Sequence, residues 1–258
     1  MKPLFLKLVP FVIITGLFFG FYKKNNVVQP VQSLNLMKDP LYPPFAVLEL
    51  FTSEGCSSCP PADDILRGVA HQDNVFALSF HVTYWNKLGW KDAFSQKMFD
   101  ERQYAYGRLM QSNGVYTPQL VVNGLEEFVG SRKSQTEKSI EKSLSQKAKA
   151  SIILNKMLEN NTLKANYKLE GNFKNTVLNI ALVERHIETK VLRGENSGRT
   201  LKHDNVVREF QTIQIEGAGK GSVSLSLPSD FKQKDGVVVA YLQNKDTWKI
   251  VAASKIGL

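Results

Sequence analysis

Hydrophobic and polar positions divide the body of the chain into two textures. From Ala46 to about Ala150, short apolar runs alternate with stretches of helical spacing. Ala46–Phe51 is a β-type run, broken by Thr52-Ser53-Glu54-Gly55. Ile65, Leu66 and Val69 then recur at helical spacing. Pro60 and Pro61 fit only the first turn of that helix, where amide hydrogens have no intrahelical partner. Asp63 and Asp64 suit its positive end. Val75–Val82 predicts a second strand, and Phe94, Met98, Ala105 and Leu109 a second helix with one apolar face. Gln119–Val122, Asn123-Gly124 and Glu127–Val129 read as a tight hairpin. Ser134–Ala150 predicts a polar helix whose stripe is Ile140, Leu144 and Ala148.

Beyond Ala150 the period shortens. Leu163, Ala165, Tyr167 and Leu169 alternate with polar residues, as do Val223, Leu225 and Leu227, and Trp248, Ile250 and Ala252. Ile152–Leu154, Thr176–Val183, Val206–Ile215 and Val237–Leu242 add strand candidates. Six or seven short strands with Gly, Asn and Asp turns predict a smaller, all-β, sandwich-like domain. A long loop, Leu192–Asn205, interrupts them. The division is therefore 45–150 for an α/β domain and 151–258 for the β-sandwich-like one.

Ahead of both lies an N-terminal signal or membrane anchor at 1–24 and a polar, proline-bearing linker at 25–44. Leu8–Tyr22 is apolar, with Lys2 and Lys7 before it and Lys23 and Lys24 after it. Its 15 residues would make a helix of about 22 Å, short of the ~30 Å hydrocarbon thickness. A basic start and a short apolar core read as an export signal. The bulky Phe18-Phe19-Gly20-Phe21-Tyr22 offers no small-residue cleavage site, so a retained single anchor competes with cleavage. Either way the body is expected outside the cytoplasm, periplasmic or anchored facing outward.

The 258 residues are 43% apolar and 22% charged, which excludes a disordered tail, a fibre and a multi-span membrane protein. The net charge of +9 falls to about +5 without the four lysines around the apolar segment, and no basic face is interleaved with aromatics, so no nucleic-acid partner is expected. The two cysteines stand three positions apart, which excludes a disulfide scaffold and poses a local dithiol.

Cys56-Ser57-Ser58-Cys59 falls at the first strand-to-helix turn. Helix-end amides and dipole there lower a thiol pKa from ~8.5. Cys56 is the expected nucleophile and Cys59 the resolving thiol, on protein thiols or disulfides and without a cofactor. This reading needs sulfurs that solvent can reach. Glu54 would weaken it by raising the Cys56 pKa if its carboxylate faced the sulfur. The order β-α-β-α-β-β-α, with a proline directly before the third strand, matches the thioredoxin fold. Pro118 is the expected companion of the dithiol, with Thr117 and Trp85 meeting the substrate strand. Two alternatives stand beside the oxidoreductase. One is a metal-binding or metal-delivery module built from Cys56, Cys59 and His81. The other is a non-catalytic binding protein presenting the Leu192–Asn205 loop. A static disulfide and a lone His203 are the plainer readings of those residues.

Glu49-Leu50-Phe51-Thr52-Ser53-Glu54-Gly55-Cys56-Ser57-Ser58-Cys59-Pro60-Pro61-Ala62-Asp63 resembles the signature of the domain of unknown function 1223 family. Further similar stretches are His81-Val82-Thr83-Tyr84-Trp85, Leu88-Gly89-Trp90-Lys91-Asp92, Arg102–Tyr106, Val115–Gln119, Gly194–Leu201 with His203, and Val206–Arg208. The resemblance runs from about residue 45 to the end. It implies an exported thioredoxin-like protein and leaves the activity open.

Overall fold

The computed structural model describes residues 42–258 apart from 160, 216 and 218. The leader or anchor at 1–24 and residues 25–41 of the linker lie outside the described residues. Among the described residues, no helix is long and apolar enough to cross a membrane.

The first half follows the expected order: β1 (Ala46–Thr52), α1 (Pro60–Val69), β2 (Val75–His81), α2 (Lys97–Leu109), β3 (Gln119–Val122), β4 (Glu126–Val129) and α3 (Lys133–Leu144). Every residue of β1 and β2 is buried, which is why both read as almost unbroken apolar runs. They pair in parallel, β3 runs antiparallel to β1, and β4 antiparallel to β3. The last helix stops at Leu144 rather than Ala150, because Ala150 already pairs with Gly171 in the next strands.

The second half supplies β5 (Ala150–Glu159), β6 (Thr162–Gly171), β7 (Thr176–Glu184), β8 (Ile187–Lys190), β9 (Thr200–His203), β10 (Val206–Gln214), β11 (Lys220–Ser226), β12 (Gly236–Asn244) and β13 (Ile250–Gly257). The expected loop Leu192–Asn205 thus contains β9, which pairs with β8 as a separate hairpin. Its polar sequence, Thr-Leu-Lys-His, hides it from a pattern search.

The fold is mixed α/β, with one eight-stranded sheet ordered β13-β12-β7-β10-β2-β1-β3-β4 and a three-stranded sheet ordered β11-β6-β5. The three-stranded sheet packs through Leu163, Ala165 and Leu225 onto Leu178, Ile180, Leu182 and Val238 of the large sheet. The second half does stack two layers of strands, but it is not a sandwich standing apart. Its four-stranded layer continues the first half's sheet through a parallel bridge between Val206 of β10 and Ser79 of β2. Adjacent strands in a sequence suggest pairing; a bridge between strands 127 positions apart leaves no local sequence trace.

A shared core follows from that bridge. Phe51, Phe80, Phe99 and Tyr106 pack with Ala181, Val183, Phe210 and Tyr241 in a single cluster. On the opposite face, α1 and α3 cover β1 and β3 through Leu66, Val69 and Ile140 against Leu48, Leu50 and Leu120. Within the shared core, Arg102 of α2 makes two hydrogen bonds to Glu49, at 2.6 and 2.8 Å, and reaches Tyr106 and Gln243. Five aromatic rings surround its guanidinium at 5.1–5.9 Å. Burial opposes this charge, but the Glu49 carboxylate holds Arg102 firmly protonated.

Candidate functional site

The chain leaves β1 in a tight turn, Cys56 N–H donating to Ser53 C=O (3.1 Å) and Cys59 N–H to Cys56 C=O (3.2 Å). Pro60 and Pro61 then open α1, so the first amides available are those of Ala62 and Asp63, both of which donate to Cys59 C=O. Cys56 and Cys59 are joined in a disulfide, with Cα atoms 5.4 Å apart. Ser58 Oγ lies 3.4 Å from Cys56 Sγ.

Both cysteines are 0% exposed, while Ser57 and Ser58 between them are exposed. The expectation of solvent-reachable sulfurs is therefore overturned. The 191–199 tip of the β8–β9 hairpin lies against the turn that carries them. The Asn196 side-chain amide donates to both Glu54 C=O (2.9 Å) and Cys56 C=O (3.0 Å). Glu195 Oε2 accepts Ser57 N–H at 3.1 Å, and the Ser57 hydroxyl, with this amide second, holds the exposed carboxyl below its ordinary pKa. The middle of 192–205 folds back on the dithiol turn.

Glu54 does not stand free beside the sulfur. Its Oε2 accepts Trp90 Nε1–H at 2.8 Å, and its Oε1 lies 3.6 Å from His203 Nε2. His203 Nδ1 lies 3.6 Å from Asp63 Oδ2 on the first turn of α1. Burial disfavours the charged imidazole, but the flanking Asp63 and Glu54 outweigh it and push the His203 pKa up to about 10. His81, at the end of β2, meets His203 edge to face at 4.9 Å between ring centres. His81 Nδ1 is 2.7 Å from Asp92 Oδ2, which also accepts Glu54 N–H. Burial would raise the Asp92 pKa, yet His81 and the backbone donors hold it below the ordinary carboxylate value. Glu54 Oε1, Asp63 Oδ1, His81 Nε2 and both His203 nitrogens are buried without a hydrogen-bond partner.

On the other side of the turn, Trp85 Nε1–H donates to Thr117 Oγ1 at 2.7 Å, and a Cβ at Gly55 would lie 3.1 Å from Trp85 Cβ. Trp85 thus links the dithiol turn to Thr117. The Thr117–Pro118 bond is cis, and Pro118 C=O accepts Gly130 N–H. The metal set of Cys56, Cys59 and His81 is not assembled. The two sulfurs bond each other, His81 Nδ1 is engaged by Asp92, and among the described residues no three His, Cys, Asp or Glu side chains are grouped to hold a metal ion.

Residues 47–243 match the family model described as "Protein of unknown function (DUF1223)". The chain belongs to this family. A crystal structure of a protein from Agrobacterium tumefaciens is similar at 31% identity and a TM-score of 0.64, over 82% of this chain and 93% of that one. HBP35 of Porphyromonas gingivalis is similar in fold, with 17% identity and a TM-score of 0.57 over 84% of this chain and 76% of that chain. No curated protein matches the chain.

The DUF1223 stretches named above contain most of what single-residue reasoning passed over. Asp92, Asn196 and His203 all fall inside them, and each touches the turn or the group beneath it. Asp63 had a reading as a helix-end carboxylate only; its second role toward His203 depends on β9, which the polarity pattern conceals.

Proposed function

We propose that this DUF1223 protein is an exported, thioredoxin-like thiol–disulfide oxidoreductase acting on protein thiols or disulfides. Cys56 is the attacking and attacked sulfur, and Cys59 the resolving one. Thr117 and Trp85, beside Pro118, flank the path of an extended partner strand. The observation that carries this reading is the Cys56–Cys59 disulfide itself, closed at the start of α1 directly after β1. The order β-α-β-α-β-β-α and the strand order β2-β1-β3-β4 support the thioredoxin-like assignment. Export, with Leu8–Tyr22 as leader or anchor, fits a cysteine pair held as a disulfide.

Because both sulfurs are covered, exchange requires the 191–199 tip to lift. That burial equally favours a second reading, a static cystine that pins the turn. A Cys59→Ala variant separates the two. The oxidoreductase leaves Cys56 in mixed disulfides with partner proteins, recoverable on a non-reducing gel. The static cystine yields none, and the wild-type disulfide then resists millimolar thiols until the protein unfolds.

A further inference from the structure

Where β7 begins and β10 and β12 end, with Val177 opposite both Gln214 and Gln243, the large sheet leaves a cavity of about 290 Å³ that involves neither cysteine. Arg102 of α2, only 9% exposed, lines it. Its Nε and Nη2 are engaged by Glu49, Tyr106 and Gln243. Nη1 bonds no described protein atom, yet it is not one of the fully buried polar atoms without a partner, so it opens to the cavity. The acceptors around it are already taken. Gln243 Oε1 receives Arg102 Nη2 at 3.0 Å and Asn179 Nδ2 at 2.9 Å. Asn179 Oδ1 receives the Thr212 hydroxyl at 2.7 Å, and Asn244 Oδ1 receives the Asp246 and Thr247 amides. Donors are what remain: Arg102 Nη1, the second hydrogen of Asn179 Nδ2, and the exposed Lys245 ammonium, which has no ion pair among the described residues. None of the described residues lining the cavity is acidic. A hollow with its acceptors occupied and its donors open is complementary to an anion.

We propose that this cavity binds a small monocarboxylate with a short apolar tail. One carboxylate oxygen accepts from Arg102 Nη1 and the other from Asn179 Nδ2. These donors are neighbours, because Arg102 Nη2 and Asn179 Nδ2 share the Gln243 oxygen. Val177 and Trp248, whose ring centre lies 5.4 Å from the Arg102 guanidinium carbon, give the tail an apolar wall. Tyr106 holds that indole edge to face at 4.8 Å, so the wall is formed before a ligand arrives. Glu49 already balances the Arg102 charge, which leaves Lys245 to match one added negative charge and nothing to match a second. The volume lies at the small end of ligand pockets, roughly 300–1,000 Å³, and sets the size of the acid. The site asks nothing of the disulfide, so it stands whether or not Cys56 and Cys59 exchange with partner thiols.

The test is a titration of the isotope-labelled full chain with sodium propionate, at an ionic strength held constant with chloride, followed at the side-chain amide resonances of Asn179 and Gln243. Both move and saturate, roughly in the millimolar range that so small a ligand reaches. Propionamide, which has the same shape without the charge, and inorganic phosphate at pH 8, a dianion, bind at least about tenfold more weakly. Lys245→Glu places a carboxylate at an exposed position that makes no ion pair, so the fold is kept and propionate binding weakens by about tenfold. Arg102→Lys keeps the charge, removes Nη1 and abolishes saturation; if that variant does not fold, Lys245→Glu decides alone. Resonances that do not saturate with propionate, an equal response to propionamide or phosphate, or an unchanged affinity in Lys245→Glu each overturns the proposal.

Discussion

Asn196 offers the most direct measure of whether the cover over the disulfide moves. Its amide donates two buried hydrogen bonds to the dithiol turn, at 2.9 Å to Glu54 C=O and 3.0 Å to Cys56 C=O. Each such bond contributes roughly 1 kcal/mol net, so Asn196→Ala weakens closure of the 191–199 tip by about 2 kcal/mol. At 1.36 kcal/mol per tenfold change, the lifted population rises about 30-fold. If thiols reach the sulfurs only through that lifted state, and closing is faster than attack, the reduction rate rises by the same factor. The assay is pseudo-first-order reduction by a small thiol, quenched with an alkylating mass tag that counts freed cysteines. Ser197→Ala is the control: its hydroxyl bonds Leu192 C=O within the tip itself, and its rate should stay within about twofold of wild type. An Asn196→Ala rate equal to wild type would refute the gating argument. So would a rate in both proteins that matches global unfolding.

Three further outcomes test the frame around the site. Glu49→Ala strands the Arg102 guanidinium in the shared core and should cost about 3–5 kcal/mol in urea unfolding; a loss below 1 kcal/mol would show that the aromatic cage suffices. Gly124 has a φ of +67°, and a Cβ there would sit 2.0 Å from Trp248 O, so Gly124→Ala should lower the midpoint of thermal unfolding by several degrees, whereas an unchanged midpoint removes the close approach as a constraint. The His203 pKa is raised from 6.5 to about 10 on folding, so its stabilising contribution is full below pH 6.5 and fades as pH climbs toward 10. The stability gap between wild type and His203→Gln should therefore narrow from pH 6 to pH 10; a constant gap contradicts the ionic anchoring of His203.

Local pattern was enough for most elements and for the disulfide's position, because both are set by neighbours in the chain. Pro60 and Pro61 fix the start of α1, and Asn123-Gly124 the turn between β3 and β4, each with its own backbone chemistry. The burial of Cys56 and Cys59 is another matter. The turn that holds them is contacted by Glu195 and Asn196, some 140 residues downstream, on a hairpin whose strands are four residues each. Such short polar strands carry little periodicity, so Leu192–Asn205 reads as a loop. His203 suffered the same blindness: alone in sequence, it gains Glu54 and Asp63 only through folding.

The continuity of the large sheet and the make-up of the site are one fact seen twice. Ser79 N–H donates to Asn205 C=O at 2.9 Å, and Val206 stands opposite Ser79. Those contacts lie two residues from His81 on one strand and two or three from His203 on the other side, and so bring the two rings to 4.9 Å. The same bridge closes the core, since Phe80 packs its edge on Phe210 at 5.4 Å between ring centres. A fragment ending at residue 150 would therefore lose Ala181, Phe210 and Tyr241 from its core together with His203 and Asn196 from its site. It should be expressed as a molten or aggregated chain, with its disulfide reduced at the rate of an unfolded peptide. A fragment that instead folded cooperatively and kept the disulfide protected would separate the two halves, and with them the claim that the second half belongs to the dithiol site.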